Sequence, residues 1–171
     1  MERSHPEQQK EIVDDNARKF VIAPLSAEFL KKHEAVGYLL VTDWLETESD
    51  KEKKVVLKEY DDGSVERLLI TKVTKNGTRA SEKQKITEEE YHKLVSQSVE
   101  RIEKRRFEFN YLQSGVTFVV KYDEFLSSGL CMLEVDAQND KLRDSFEPFV
   151  DTCEEVTGDL RYYGYRIAHQ I

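Results

Sequence analysis

Alternation of apolar and polar residues is the main pattern along this chain, and it predicts a protein built mostly of strands. The alternating segments lie at 15–22, 37–46, 53–60, 64–73, 78–86, 104–111, 116–125 and 130–137. Asp61-Asp62-Gly63 and Asn76-Gly77 separate neighbouring segments, and both sequences are typical of hairpin turns. Turns are also predicted at 113–115 and 127–129. The pattern therefore predicts a sheet made largely of antiparallel hairpins.

Helical patterns occupy a smaller part of the sequence. Ser26 is suited to cap a helix that stops at Gly37. Thr87 and Glu90 form a capping box before a helical stripe that extends to about Ile102. The C-terminal segment favours two short helices around a loop. Antiparallel sheets of about eight strands tend to close, which removes exposed edges. The predicted fold class is therefore α+β, a closed eight-stranded antiparallel β-barrel with two to four flanking helices.

The charged residues of the predicted strands are arranged on single faces. In the segment 104–111, Lys104 and Arg106 share one face, whereas Phe107 and Phe109 share the other. If the aromatic faces pack outward beneath helices, the charged faces converge on the interior of the barrel. Alternation alone leaves a second interpretation open, in which these charged faces are simply the solvated outside of the sheet.

Composition narrows the function classes. The 171 residues suit one domain, predicted as a loose tail over 1–12 and a single domain over 13–171. The net charge of -8 argues against binding nucleic acid or anionic membranes through a basic surface. Cys131 and Cys153 show neither zinc-site spacing nor a disulfide framework. With no apolar run long enough to span a membrane and no signal-peptide core, the sequence predicts a cytoplasmic protein.

Several short motifs carry a resemblance to a known family. GLCMLEVD at 129–136 is followed at a fitting distance by EVTGDLRYYGYRIA at 155–168. KRRF at 104–107 and LITK at 69–72 are similar to further family strands, and Arg79 follows the latter at a fitting distance. Together they resemble the CYTH family, the triphosphate tunnel fold of class IV adenylate cyclases, thiamine triphosphatases and inorganic triphosphatases. The resemblance extends over most of the chain.

The resemblance implies a site for a small-molecule triphosphate or polyphosphate. It implies substrate binding by basic residues on several strands and near the C-terminus: Lys19, Lys58, Lys72, Arg79, Lys104, Arg106 and Arg161. Lys19 and Arg106 are also its implied catalytic residues. Asp15, Glu134 and Asp136 are implied as ligands of one Mg²⁺ or Mn²⁺ ion, since hard cations prefer carboxylate oxygens. The oligomeric state is expected to be a monomer or a homodimer.

The chain departs from the family pattern at positions where acids are expected. Ala17, Ser81, Lys83 and Lys121 occupy those positions. The family's Arg-x-Arg strand appears here as Val56-Leu57-Lys58, and the other expected basic positions remain basic. Two hypotheses follow. The first is a metal-dependent triphosphate phosphohydrolase, an acid anhydride hydrolase acting in a basic lumen. The alternative is a degenerate member that binds a polyphosphate or nucleotide without turnover.

Overall fold

The protein consists mainly of one antiparallel sheet. The computed structural model describes residues 11–14, 17–48 and 50–162. Ten strands pair within this sheet. They are β1 (Glu11–Asp14), β2 (Arg18–Ile22), β3 (Val36–Leu45), β4 (Lys51–Tyr60), β5 (Val65–Lys75), β6 (Thr78–Lys85), β7 (Ser98–Gln113), β8 (Val116–Phe125), β9 (Cys131–Asp136) and β10 (Cys153–Glu155).

The predicted closed eight-stranded barrel is wrong, because the sheet is open. Its strand order is β1-β6-β5-β4-β3-β7-β8-β9-β2-β10, and among the described residues the edge strands β1 and β10 do not pair with each other. The error has a local cause, since the strand expected over 15–22 does not exist as one element. The chain instead forms β1 and β2, which pair with β6 and β9 in different parts of the sheet. The class is mostly β rather than α+β.

The sheet is nevertheless strongly curled. Only four residue steps connect Asp14 in β1 to Arg18 in β2, so these residues lie within about 14 Å of each other. In the strand order, β1 and β2 are eight positions apart, which corresponds to about 38 Å across a flat sheet. The connection therefore requires the sheet to bend, giving it one concave and one convex face.

Two helices pack on one face of the sheet, whereas Tyr38, Leu40 and Leu68 are buried on the other face, where no described helix packs. That buried face is therefore the concave one, and the two helices lie on the convex face.

The described chain contains three helices, α1 (Ala27–Lys32), α2 (Glu88–Val95) and α3 (Asp140–Asp144), with a 3₁₀ turn at Leu160–Tyr162. Leu30 of α1 packs against the outward side chains of β2, β7, β8 and β9, and Tyr91 of α2 packs against Leu45 and Val55. The prediction that aromatic strand faces pack beneath helices is confirmed by Phe109 in the first of these clusters. No helix in the described part of the chain is long and apolar enough to cross a membrane.

Both predicted caps are present, but α2 is shorter than its sequence pattern suggested. The Ser26 and Thr87 side chains accept hydrogen bonds from the backbone N–H groups of Phe29 and Glu90, each at 3.1 Å. The segment up to Ile102 was expected to continue the helix, yet β7 begins at Ser98. Its residues pair with β3, where Ile102 lies opposite Thr42. Tertiary pairing thus outweighs the local helical stripe.

Candidate functional site

The strand registers gather charged side chains on the concave face. Tight turns set those registers, because Ser114 and Gly115 both have positive φ and close a two-residue hairpin between β7 and β8. Arg106 is thereby placed opposite Asp123, and Lys121 opposite Glu108. On the next pairs, Glu134 lies between Lys121 and Lys19. We call the following residues the charged cluster: Lys19, Lys58, Lys104, Arg106, Lys121, Glu108, Asp123 and Glu134.

Asp123 is the centre of this cluster. Arg106 donates from Nε to Asp123 Oδ1 and from Nη2 to Oδ2, both at 2.7 Å. Lys104 Nζ lies 2.9 Å from Asp123 Oδ2. The side chain of Asp123 is 2% exposed, whereas those of Lys104 and Arg106 are each 12% exposed. One buried carboxylate therefore orients two buried cations, and the bidentate contact fixes the plane of the guanidinium.

A second acid connects the cluster to β9. Glu134 Oε1 lies 3.5 Å from Arg106 Nη2, and the Glu134 side chain is 25% exposed. On the other side of Arg106, the Tyr38 hydroxyl donates to Glu108 Oε1 at 3.1 Å. The eight members comprise five cations and three acids, and Glu66, opposite Lys58 in the register, adds a fourth acid beside them. Five cations against four acids leave a formal excess of one positive charge. A bound anion would supply the negative charge that the excess cations of the cluster lack.

Burial and pairing act on these groups in opposite directions. Burial by itself raises the pKa of Asp123, but Arg106 and Lys104 outweigh it and hold that pKa below the usual value. Burial likewise works against ionised Glu134, yet Arg106 and Lys19 lower its pKa. Burial lowers the pKa of Lys104 and of Lys58. The two acids therefore stay ionised at neutral pH, while the two lysines are poorly solvated and gain from a nearby anion.

An apolar cluster lies beside these charged residues on the concave face. Tyr38, Leu40, Val56, Leu68 and Ile70 form a buried cluster on β3, β4 and β5. The helices described above lie on the convex face, so the curvature of the sheet itself covers these side chains. Charges that lie near such an apolar wall interact more strongly than charges in water, because the local dielectric constant is low.

The predicted substrate-binding residues fall into two groups. Lys19, Lys58, Lys104 and Arg106 meet in the charged cluster. Lys72 is on the concave face of β5, opposite Ser81 of β6. Arg79 is in β6, and its side chain is outside the described part of the structure.

Arg161 pairs with an acid close to it in sequence. It lies in the 3₁₀ turn with a side chain that is 73% exposed, and it pairs with Asp159 at 2.7 Å. Its implied role in substrate binding remains a prediction.

The predicted metal ligands do not form a metal site in the described residues. Asp15 lies outside them. Glu134 faces Arg106, and Asp136 Oδ1 accepts a hydrogen bond from the backbone N–H of Ala137 at 2.8 Å. Within 11–14, 17–48 and 50–162, no group of three or more His, Cys, Asp or Glu side chains is arranged to hold a metal ion. These acids fit the neighbouring cations better than a divalent metal, so we derive no step through a metal.

Sequence reasoning missed the role of Asp123. Alternation places Asp123 on the same face of β8 as Lys121, but it does not identify a partner for it. Because the loop Ser114–Gly115 has two residues, each step back along β7 from Gln113 pairs with one step forward along β8 from Val116. This register places Asp123 opposite Arg106. Counting outward from this turn would have identified the pair. Glu108 pairs with Lys121 by the same rule.

The fold and the cluster define this chain as an antiparallel β protein with a basic concave face. It shares its fold with the crystal structure of the inorganic triphosphatase NE1496, at 24% identity, a TM-score of 0.63, and coverage of 92% of this chain and 99% of that one. It is also similar to the PH1819 protein from Pyrococcus horikoshii OT3, at 16% identity, a TM-score of 0.53, and coverage of 81% and 92%. No family model and no curated protein matches the chain. At these identities, the likeness is one of fold.

Proposed function

We propose that this protein binds a triphosphate on its concave face and hydrolyses it, as a divergent member of the CYTH family. The observation that carries the proposal is the pair of buried cations, Lys104 and Arg106, held on one buried carboxylate. Burying cations costs free energy that pairing with acids offsets, and here the cluster has more cations than acids, as is common at binding and catalytic sites. The likeness of fold to a protein described as an inorganic triphosphatase supports the same substrate class.

The proposed chemistry is transfer of the terminal phosphoryl group to water. A new P–O bond forms to the water oxygen as the bridging P–O bond breaks, and the products are pyrophosphate, orthophosphate and a proton. Such reactions depend mainly on positioning and on stabilising charge at the phosphate oxygens. Arg106 would contact two of these oxygens through its planar donors. Lys19 and Lys58, on facing sides of the cluster, would neutralise the remaining charge.

Binding without turnover is the second candidate. It is favoured by the pairing of Glu134 with Arg106, since that acid is then less available to position a metal or a water. Ala17 also lacks any group that could replace a missing acid. Dependence on Mg²⁺ or Mn²⁺ remains a prediction for either candidate, and the assay below includes both ions.

Thermal stability and phosphate release, measured in the same samples, test both candidates. Tripolyphosphate should raise the melting temperature, because a ligand that binds only the folded state stabilises it. Samples with EDTA, Mg²⁺ and Mn²⁺ reveal any metal requirement. Stabilisation with phosphate release supports the hydrolase, and stabilisation alone supports the binding protein. The absence of stabilisation by tripolyphosphate under every condition would contradict both.

A matched pair of variants locates the site. Lys58→Gln removes a charge from the cluster without breaking the Asp123 pairs, and it should weaken tripolyphosphate binding about tenfold. Lys53→Gln removes a charge from the opposite face of the same strand, β4, and should leave the affinity unchanged. Equal losses in the two variants would mean that binding responds only to net charge.

A further inference from the structure

A row of alternating charges crosses four neighbouring strands of the concave face. Glu108 in β7 is opposite Lys121 in β8, and Lys121 is opposite Glu134 in β9. Glu134 is in turn opposite Lys19 in β2. Directly opposite residues of an antiparallel pair have Cβ atoms about 5 Å apart, so each acid of this row has a cation as its lateral neighbour. Lys121 is thus placed between two carboxylates.

The acids of this row also have partners outside it. Glu134 Oε1 lies 3.5 Å from Arg106 Nη2, and Glu108 Oε1 accepts a hydrogen bond from the Tyr38 hydroxyl at 3.1 Å. Burial raises the pKa of Glu134, but the surrounding cations, with Arg106 the strongest and Lys121 among them, lower it overall. Both carboxylates therefore serve to hold groups that the chain itself supplies.

A divalent ion would have to compete with these cations for the carboxylates. Mg²⁺ requires oxygen ligands in near-octahedral geometry, and proteins usually supply one or two carboxylates among them. An ion between Glu108 and Glu134 would coincide with the register position of Lys121 and would lie close to Arg106. Like charges repel strongly where the local dielectric constant is low. A phosphate at the same place would instead give both cations a further partner.

Strand β6 adds hydroxyl and amine donors to the concave face. Lys83 and Lys85 are opposite Ile70 and Leu68, which are buried on that face, and Ser81 shares their side of the strand. The Ser81 side chain is buried, and its Oγ makes no hydrogen bond within the described residues. A hydroxyl and an ammonium group both donate to phosphate oxygens. This strand therefore also favours an anion over a metal ion.

We infer that this protein binds the metal-free triphosphate anion, and that Lys121 supplies the positive charge that a divalent ion would otherwise supply between Glu108 and Glu134. Mg²⁺ or Mn²⁺ would then compete with the protein for the ligand, because these ions neutralise the triphosphate in solution. The inference rests on the proposed function, which supplies the triphosphate. It adds the ionic form of the substrate and differs from the metal dependence that the family resemblance implies.

Calorimetry on the full chain tests the inference without any substitution. Tripolyphosphate would be titrated into the protein in EDTA and, separately, in an excess of Mg²⁺. We expect the affinity to be about fivefold or more higher in EDTA, since the magnesium complex carries less negative charge. Mn²⁺ titrated alone should bind no more tightly than about 1 mM. An equal or higher affinity for tripolyphosphate in Mg²⁺ would overturn the inference.

Charge reversal at the central lysine provides a second measurement. Lys121→Glu places a third acid between Glu108 and Glu134, so Mn²⁺ should bind this variant at least about tenfold more tightly than the parent protein. Lys75→Glu makes the same charge reversal at an exposed position near the end of β5 and should leave Mn²⁺ binding unchanged. Circular dichroism establishes that both variants are folded. A folded Lys121→Glu variant with no gain in Mn²⁺ affinity would contradict the role assigned to Lys121.

The outcomes separate the inference from the proposed function. Binding of tripolyphosphate only in the presence of Mg²⁺ or Mn²⁺ overturns the inference and leaves triphosphate binding intact. Failure of tripolyphosphate to bind under every condition contradicts the proposed function, and the inference fails with it. Lys121→Gln removes the charge without adding an acid and should weaken binding in EDTA about tenfold. An unchanged affinity in this variant would also count against Lys121.

Discussion

The concave face has two parts, a charged half centred on β7, β8 and β9 and an apolar half centred on β3, β4 and β5, and different forces hold them together. In the charged half, Asp123 binds Arg106 and Lys104 at 2.7–2.9 Å, and the two cations are each 12% exposed. In the apolar half, Leu40 and Leu68 belong to a cluster in which every core member is at most 7% exposed. Apolar burial is favourable without a partner, whereas each buried charge depends on the charges around it. The proposed ligand would therefore contact the charged half.

The apolar half also influences the charge interactions of the cluster. Its side chains keep water away from the cluster and lower the local dielectric constant, which strengthens every charge interaction there. Because Lys104 and Lys58 are poorly solvated, their pKa values are lowered by burial. A triphosphate would replace the missing water as the partner of these lysines. The apolar half would therefore strengthen the proposed binding through the local dielectric constant, without a direct contact with the phosphates.

Removing the central carboxylate should have the largest effect on stability. Asp123→Asn leaves Arg106 and Lys104 buried without their anionic partner, and we expect a loss of about 3–5 kcal/mol in the free energy of unfolding. Urea denaturation measures this loss. Glu124→Gln is the matched control, because it removes an acid from the neighbouring position on the other face of β8. A loss below about 1 kcal/mol in Asp123→Asn would show that the buried pairs are not essential to the fold.

Truncation in the apolar half should be slightly less destabilising and should spare binding. Leu68→Ala is expected to cost about 2–5 kcal/mol through lost burial and the cavity left behind. Tripolyphosphate affinity of the folded variant should remain close to that of the parent protein. Val65→Ala, at an exposed position on the same strand, serves as the control. A tenfold loss of affinity in Leu68→Ala, an effect of roughly 1.4 kcal/mol, would contradict the division of roles between the two halves.

Lowering the pH should reduce the stability contributed by the charged half but not that of the apolar half, and the loss should develop gradually over a range of pH values. The pKa values of Asp123 and Glu134 are lower in the folded protein than their usual values, with Arg106 the main cause of the lowering. Their contribution to stability is therefore complete above the unfolded carboxylate pKa of about 4 and is lost as the pH falls through the folded values. Denaturation curves recorded from neutral pH down to acid should show this loss. The loss should be smaller in Asp123→Asn and unaltered in Leu68→Ala, and an identical profile in all three proteins would refute the assignment.

Much of the fold was predictable because it depends on local patterns. Alternation located the strands of the sheet, and Asn76-Gly77 was confirmed as a hairpin turn, with positive φ at both residues. The caps at Ser26 and Thr87 were predictable for the same reason, since a cap involves only a few neighbouring residues. Alternation also placed Lys104 and Arg106 on one face, opposite Phe107 and Phe109.

Other features depend on distant parts of the chain and were not predictable in this way. The division of the first strand follows from pairing with β6 and β9, which are far apart in sequence. The early start of β7 follows from its pairing with β3. Open or closed sheet geometry depends on whether the edges meet, and strand number alone does not decide this.

The sequence by itself determined which side chains share a face, because the period of two is a property of the extended backbone. Only the tertiary structure decided that the charged face is the concave one, that Asp123 holds both Lys104 and Arg106, and that the buried ring of Phe125 lies beside Lys104. The physical reason is that curvature and burial arise from the whole sheet. They depend on pairings across the chain, whereas alternation depends only on neighbouring residues.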